Sequence, residues 1–152
     1  MDLKELKIKY EEMGKEIERL ENKKVEFVPK LEEEYFYVTA SRNVDCWCYD
    51  NRVIDKAIIK YNKIFRTKGE ALKYRDYLNA KDEASYNFSK EEWEDDNIEK
   101  HYFWFDSDEK TLETDFNSCV RYPQIHFKTE EDAQNFIDKY KKEILEFEFG
   151  EV

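Results

Sequence analysis

The sequence predicts an α+β protein with an antiparallel sheet, built from two similar halves and preceded by a coiled-coil-like helix. Three observations support this prediction. The first 22 residues place apolar side chains at helical spacing, two later groups of segments are rich in aromatic and β-branched residues, and each group ends in the same helix-start pattern. The chain has 152 residues, of which 40% are hydrophobic and 16% aromatic, so it can bury a core of ordinary size.

Residues 2–22 are predicted to form an amphipathic helix that Asp2 is placed to cap. Its apolar positions alternate three and four residues apart, as in a coiled-coil seam, and they are Leu3, Leu6, Tyr10, Met13, Ile17 and Leu20. A helix of this length is marginal alone in water, so we expect either the rest of the chain or a second copy, in a homodimer, to cover the seam. Pro29 argues against a continuous helix, which separates residues 1–28 from a domain over 29–152.

The first half, residues 35–84, has the pattern of three strands and a helix. Residues 35–40 and 44–49 are rich in aromatic and β-branched residues and flank a Ser-Arg-Asn turn, which predicts a hairpin. A third short strand is expected at 63–66. Thr67 and Glu70 then form a capping box that begins a helix to about Ala84. A second capping box, at Ser89 and Glu92, begins a short acidic helix.

The second half, residues 101–145, repeats this order, with strands at 101–106, 111–116 and 124–128 and a helix from Thr129 to about Leu145. In each half we expect a Phe to end the third strand and a Thr two residues later to cap the helix. We expect an Ala four residues after the Thr to let the helix approach the sheet closely, and an aromatic ring three residues further on to pack beneath the helix. At one constant offset, Phe65, Thr67, Ala71, Tyr74 and Asp76 match Phe127, Thr129, Ala133, Phe136 and Asp138. The repeat predicts one domain with one antiparallel sheet backed by two helices.

The charge balance limits the kinds of partner. The chain has 37 acidic and 26 basic residues and a net charge of −11. This field opposes direct binding to the phosphates of nucleic acid and favours a basic protein partner. No stretch approaches the roughly 20 apolar residues of a membrane-spanning helix. The three cysteines, in a chain that opens on a charged helix rather than a signal peptide, predict reduced thiols in a cytoplasm.

Neither a metal site nor a catalytic site is predicted. Cys46 and Cys48 share one face of a predicted strand and could join Cys119, His101 or His126 around zinc. Zinc-binding cysteines usually stand two to four residues apart on a turn, so we interpret this pair as small buried hydrophobic side chains. Packing in aromatic strands likewise explains the two histidines. Three glycines, far apart, cannot form a phosphate-binding loop, and we expect no cofactor.

Two groups of residues are candidates for binding a partner. The first is a run of carboxylates within nine residues, which can imitate phosphates to a nucleic-acid-binding protein or simply form a solvated face: Glu91, Glu92, Glu94, Asp95, Asp96 and Glu99. The second is an aromatic sheet face made by Trp47 and Tyr49, with Trp104 in the corresponding strand of the second half. These rings either belong to the helix–sheet core or contact a ring ligand or a partner.

The stretch Lys63-Ile-Phe-Arg-Thr67-Lys-Gly-Glu-Ala71 resembles the Gly-Asn-x-Phe-x-Thr-x-Glu-Glu-Ala element of small proteins of phages and prophages of Gram-positive bacteria. In those proteins the element follows a Trp-containing hairpin, as it follows Trp47 here, and a charged helix often precedes it. Tyr61 stands where they usually have Gly. The resemblance implies an accessory phage gene, and such genes often encode inhibitors of host defence. It assigns no catalytic residue.

Together these patterns predict a non-enzymatic phage or prophage inhibitor in the host cytoplasm. Its acidic surface would bind a host protein with a basic surface, such as a nucleic-acid-binding defence effector. One alternative is a sponge for a nucleotide signal on the aromatic face, for which the candidate phosphate ligands are Arg42, Arg52, Arg66 and Arg121. The other is a structural or assembly protein that uses the N-terminal helix.

Overall fold

The computed structural model describes residues 3–21, 26–117 and 125–150. The first half of the fold contains helix α1 (Leu3–Glu21), strands β1 (Glu34–Val38) and β2 (Val44–Cys48), helix α2 (Val53–Tyr61), strand β3 (Ile64–Phe65) and helix α3 (Lys68–Ala84). The second half contains helix α4 (Lys90–Glu94), strands β4 (Lys100–Asp106) and β5 (Thr111–Asn117), and helix α5 (Glu130–Glu148). The predicted α+β class, the antiparallel strand pairing and the N-terminal helix are confirmed.

The strands of the described residues form two sheets, where the sequence predicted one. Strand β1 lies between β2 and β3 in a three-stranded antiparallel sheet, and β4 pairs with β5 in a separate antiparallel sheet. Each sheet packs against its own long helix, α3 on the first and α5 on the second. The two halves meet through these helices, so their strands do not need to join edge to edge.

The internal repeat appears in the strand pairing and in the helix caps. Phe65 pairs with β1, and Phe127 makes an isolated bridge with His101 of β4, so each Phe pairs with the first strand of its half. Two residues later, Thr67 and Thr129 each accept a hydrogen bond from a backbone N–H in the first turn of the following helix. The third strand predicted at 124–128 is therefore only this bridge within the described residues, and residue 124 lies outside them.

Helix α2 is an element that the sequence pattern did not indicate. Its first turn is held by Asp55, whose carboxylate accepts hydrogen bonds from the backbone N–H groups of Arg52 at 2.9 Å and Asp50 at 3.1 Å. Asp55 is fully buried and also accepts a hydrogen bond from the Tyr35 hydroxyl at 2.8 Å. The residue before this helix is Arg52 rather than Ser or Thr, so the usual capping signature is missing.

The main core lies where α3 and α5 meet. Tyr77 of α3 lies 6.2 Å from Phe136 and 5.5 Å from Phe147, measured between ring centroids. Phe103 of β4 stacks on Phe136 at 6.0 Å. The remaining buried members of this cluster are Phe127, Ala133, Ile137 and Ile144. Aromatic rings from both halves therefore share one core.

Helix α1 leaves its apolar stripe exposed. The described members of the stripe are between 45% and 75% exposed: Leu3, Leu6, Tyr10, Met13 and Ile17. The side chain of Leu20 and the predicted cap at Asp2 lie outside the described residues. Two covers were predicted for this seam, the rest of the chain or a second copy, and the described part of the chain does not cover it. Among the described residues, no helix is long and apolar enough to cross a membrane.

Candidate protein-binding surface

The acidic segment, residues 91–99, begins on helix α4, which is capped as predicted. The Ser89 hydroxyl accepts a hydrogen bond from the Glu92 N–H at 3.1 Å, and the Glu92 carboxylate accepts one from the Ser89 N–H at 2.8 Å. The Glu92 carboxylate also accepts a hydrogen bond from the Tyr86 hydroxyl at 3.0 Å. These bonds, with the Ser89 N–H contributing most, hold the pKa of Glu92 below its ordinary value. Glu92 therefore acts as an ionised anchor of the segment.

A layer of packed rings supports this segment on the second sheet. Trp93 of α4 meets His126 edge-on at 5.0 Å and Phe88 at 5.5 Å. Lys100 is fully buried, lies 5.7 Å from the Trp93 ring, and donates a hydrogen bond to the Asp95 carbonyl at 2.9 Å. Because side chains alternate along a strand and Phe103 faces α5, Lys100 lies on the opposite face of β4. The acidic segment therefore packs at the start of β4, on the sheet face that α5 leaves free.

The six predicted carboxylates divide into two sets. Three support the local structure, and Glu92 is the first of them. Asp95 accepts hydrogen bonds from the Asn97 N–H at 2.9 Å and from the Asn97 side-chain amide at 3.1 Å. Glu99 pairs with His101, with 3.1 Å between the carboxylate oxygen and Nε2. The Asn97 bonds also lower the pKa of Asp95. The other three are exposed, with Glu94 in a surface ion pair with Lys90 at 3.8 Å, and we call Glu91, Glu94 and Asp96 the outward acids.

A cleft of about 550 Å³ lies between the acidic segment and the start of α5. Three carboxylates contribute to its lining, from Glu92, Glu99 and Glu130. The other lining residues are Tyr86, Phe88, Asn97, Ile98, His101, Lys128 and Thr129. Glu130 is not among the predicted site residues, although three consecutive acids in the first turn of α5 were a usable signal.

The composition of this cleft suits a positively charged side chain. Carboxylates form charge-assisted hydrogen bonds with Lys and Arg, and aromatic ring faces attract the same cations. Lys128 already makes a cation–π contact of this kind, because its ammonium group lies 5.4 Å from the centre of the Tyr86 ring. Glu92, Glu99 and Glu130 come from three separate positions in the chain, so only the folded structure brings them to one cleft.

The predicted aromatic sheet face is not formed as one surface. Trp47 lies on β2, the second strand of the first half, whereas Trp104 lies on β4, the first strand of the second half. The two tryptophans therefore do not occupy corresponding strands, and they belong to separate sheets. Trp47 is 39% exposed and Trp104 41%, so the interpretation of these two rings as core residues is also wrong. Tyr49 is half-buried and donates a hydrogen bond to the Asn51 side chain at 3.1 Å.

The cysteine pair is exposed, which corrects the expectation of two buried thiols. Cys46 and Cys48 lie on β2, which pairs on one side only and forms the edge of its sheet. Within the described residues no group of three or more His, Cys, Asp or Glu side chains is arranged to hold a metal ion, and Cys119 lies outside them. A metal-free protein remains a prediction.

Both histidines are buried among aromatic rings. His101 lies 5.6 Å from Phe116 and pairs with Glu99, and His126 contacts Trp93 and Tyr102 at 5.0 and 6.3 Å. They do not occupy equivalent positions, because His101 belongs to the first strand of its half and His126 precedes the bridge residue of the third segment. These neighbours agree with the structural role expected for the histidines.

No protein-family model matches this chain, and no curated protein and no solved structure is significantly similar to it. The chain is therefore described by its own geometry, as an α+β protein of two strand–helix halves with an acid-lined cleft on the second half.

Proposed function

We propose that this protein is a non-enzymatic binding protein that docks on a partner protein with a basic surface. The outward acids make the first contact in this proposal, and the cleft accepts a Lys or Arg side chain of the partner. The observation that carries the proposal is the convergence of Glu92, Glu99 and Glu130 on one cleft with aromatic lining.

The fixed position of the acidic segment supports this proposal. A capping box, the buried Lys100 and the ring contacts of Trp93 hold the segment to the sheet. Binding by a pre-ordered surface loses less conformational entropy than binding by a flexible acidic tail. The net charge of −11 adds long-range attraction toward a basic partner and raises the association rate.

The nucleotide-sponge alternative has less support, because none of the three described candidate arginines lines the cleft. Arg42 forms an ion pair with Asp82 at 2.9 Å, and Arg52 forms one with Asp50 at 2.6 Å. Arg66 lies 5.1 Å from the ring of Phe27. Arg121, the fourth candidate, lies outside the described residues.

In the fuller form of the proposal, the protein is a phage or prophage inhibitor that acts in the host cytoplasm on a nucleic-acid-binding defence effector. Carboxylates held at set positions can occupy a groove that normally takes phosphates. The resemblance of residues 63–71 to an element of small phage proteins supports this setting. The assembly-protein alternative differs from it because it requires no basic partner.

A capture experiment with matched charge variants tests this function. Immobilised unmodified protein, the variant E91K/E94K/D96K and the control E34K/D108K/E109K are exposed to the same bacterial lysate. The two variants change the net charge equally, and all six positions are exposed. Asp108 and Glu109 follow β4, whose first residue adjoins the acidic segment, so about 20 Å of strand separates them from it.

We expect basic, nucleic-acid-binding proteins to be captured by the unmodified protein and the control but lost from the variant of the outward acids. Capture of the same proteins by all three would contradict the proposed surface. A nucleotide that copurifies with the unmodified protein at one equivalent, detected by mass spectrometry, would favour the sponge instead. Thermal melting of all three proteins shows whether the substitutions leave the fold intact.

A further inference from the structure

The exposed stripe of α1 indicates an interaction that the acidic surface does not explain. We propose that α1 pairs with α1 of a second copy of this chain, and that the two helices run antiparallel. The stripe repeats every seven residues over the helix, and its described members are all at least 45% exposed. A helix with such a stripe is stabilised in water when the stripe of a second helix packs against it and removes the apolar side chains from solvent.

The charge distribution along α1 favours a second copy as the cover and antiparallel as the orientation. Residues 3–9 contain three lysines and one glutamate, a net charge of +2, whereas residues 11–18 contain four glutamates and one lysine, a net charge of −3. A parallel pair would place like-charged halves side by side. An antiparallel pair places each basic half beside the acidic half of the other copy, which is the favourable arrangement.

The positions that flank the seam also favour the antiparallel orientation. With Leu3, Tyr10 and Ile17 at the first core position of the heptad, Lys9 and Glu16 occupy the position just before the core, on one side of the seam. In an antiparallel pair this side meets the same side of the other helix, so Lys9 lies opposite Glu16 of the second copy. Two-fold symmetry makes this contact twice.

A parallel pair would lose these contacts. The position that Lys9 would then face in the second copy is Gly14, and the position that Glu16 would face is Glu21, another glutamate. Within Leu3–Glu21, the charges at 9 and 16 distinguish the two orientations.

The antiparallel arrangement has a consequence for binding. A 19-residue helix is about 28 Å long, so the ends from which the two α+β domains continue lie about that far apart. The dimer then carries two acidic surfaces, one on each domain. A partner that is itself dimeric, or that has two basic sites, would be held by both.

The oligomeric state of the full chain is the first test, measured by light scattering and sedimentation equilibrium at increasing protein concentration. We expect a dimer for the unmodified chain and a monomer for L6E/M13E with the same melting temperature, because the stripe packs on a second copy and not on the domain. A monomer for the unmodified chain at the highest concentration would overturn the proposal. Dimerisation that survives in L6E/M13E would also overturn it.

Charge exchange tests the orientation. In the antiparallel pair, K9E and E16K should each weaken the dimer by about 3- to 30-fold, since each replaces two attractive surface contacts with repulsive ones. The double variant K9E/E16K should restore the affinity to within about threefold, because the charges are then exchanged and opposite again. Lys15→Glu, on the helix face away from the seam, is the control for the change in charge and should leave the affinity unchanged.

A parallel pair gives a different result in the same experiment. Lys9→Glu would then have little effect opposite Gly14, and Glu16→Lys would strengthen the dimer by relieving its contact with Glu21. That result, or a double variant as weak as the single ones, would overturn the antiparallel orientation. These outcomes are independent of any partner protein, so they do not depend on the function proposed above.

Discussion

The Tyr35 hydroxyl donates a 2.8 Å hydrogen bond to the carboxylate of Asp55, and both side chains are fully buried. Burial alone would raise the pKa of Asp55. The hydrogen bonds from the Arg52 N–H, the Tyr35 hydroxyl and the Asp50 N–H outweigh that effect, so this pKa lies below its ordinary value. Burial and the bond to Asp55 raise the pKa of Tyr35. The pair therefore links α2 to the first sheet with the proton on Tyr35 and the charge on Asp55.

Replacing Tyr35 with Phe should destabilise the protein. The variant keeps the buried ring but leaves the Asp55 carboxylate with one donor fewer, which costs about 1–3 kcal/mol of unfolding free energy. Urea denaturation measures the change. Tyr49→Phe is the matched control, because it removes a hydroxyl bond to Asn51 on an exposed loop and should change stability little. Equal stability of the two variants would contradict a structural role for the buried bond.

The same pair predicts how stability depends on pH. Because the folded-state pKa of Asp55 is depressed, its contribution is complete above its unfolded pKa of about 3.9 and is lost as pH falls through the lower folded value. The raised pKa of Tyr35 has the opposite sign, so its contribution is complete below about pH 10 and is lost at higher pH. The difference in unfolding free energy between the unmodified protein and Asp55→Asn should shrink as pH falls below about 4. A difference that stays constant from pH 7 to pH 3 would contradict this assignment.

A second polar contact connects the two halves of the fold. Tyr77 and Lys81 of α3 both donate hydrogen bonds to Glu148 of α5, each at 2.5 Å. Burial, followed by the bond to Glu148, raises the pKa of Tyr77. Tyr77→Phe and Glu148→Gln should each destabilise the fold, and a double-mutant cycle should give a coupling of about 0.5–3 kcal/mol. Additive effects of the two substitutions would show that the contact does not couple the halves.

Binding through the acidic surface should depend strongly on salt. Surface charge interactions are screened over about 8 Å at physiological ionic strength, so raising the salt concentration should slow association with a basic partner. E91K/E94K/D96K should reduce the association rate constant by about tenfold or more while the melting temperature stays unchanged. Asp95 is left in place, because its carboxylate holds Asn97. Stopped-flow experiments with a captured partner measure this rate constant at each salt concentration.

The opposite result would indicate an apolar interface. A partner that docks on Trp47 or on Trp104 would bind almost equally at low and high salt, and W47A or W104A, tested separately, would weaken it most. Unchanged affinity of the triple Lys variant would therefore remove the acidic surface from the proposal.

The exposed cysteines allow a direct test of metal content. Protein purified without a chelator should contain no stoichiometric zinc by elemental analysis. Cys46→Ser should fold with an unchanged melting temperature, because the thiol lies on an exposed edge strand. In the folded protein, Cys46 and Cys48 should react with a thiol reagent at rates typical of exposed side chains. One molar equivalent of zinc would contradict this prediction.

Several elements could be predicted because their signals are local. Thr67 and Ser89 each have a glutamate three residues later, and both capping boxes form as predicted. The hairpin of β1 and β2 and the match between Phe65 and Phe127 follow in the same way from short patterns. Helix α2 had no such signal, because it begins on a buried acid whose partner, Tyr35, lies on another element.

The sequence by itself determined the α+β class, the caps of α3, α4 and α5, the repeated halves and the apolar stripe of α1, because each depends on residues within one or two turns or one strand. Only the tertiary structure decided that two separate sheets form, that Trp47 and Cys46 are exposed on an edge strand, and that Glu130 joins Glu99 at one cleft. Burial and proximity depend on how distant segments pack. In this chain that packing is set by α3 meeting α5 through Tyr77 and Phe136, a contact that no periodicity along either helix specifies.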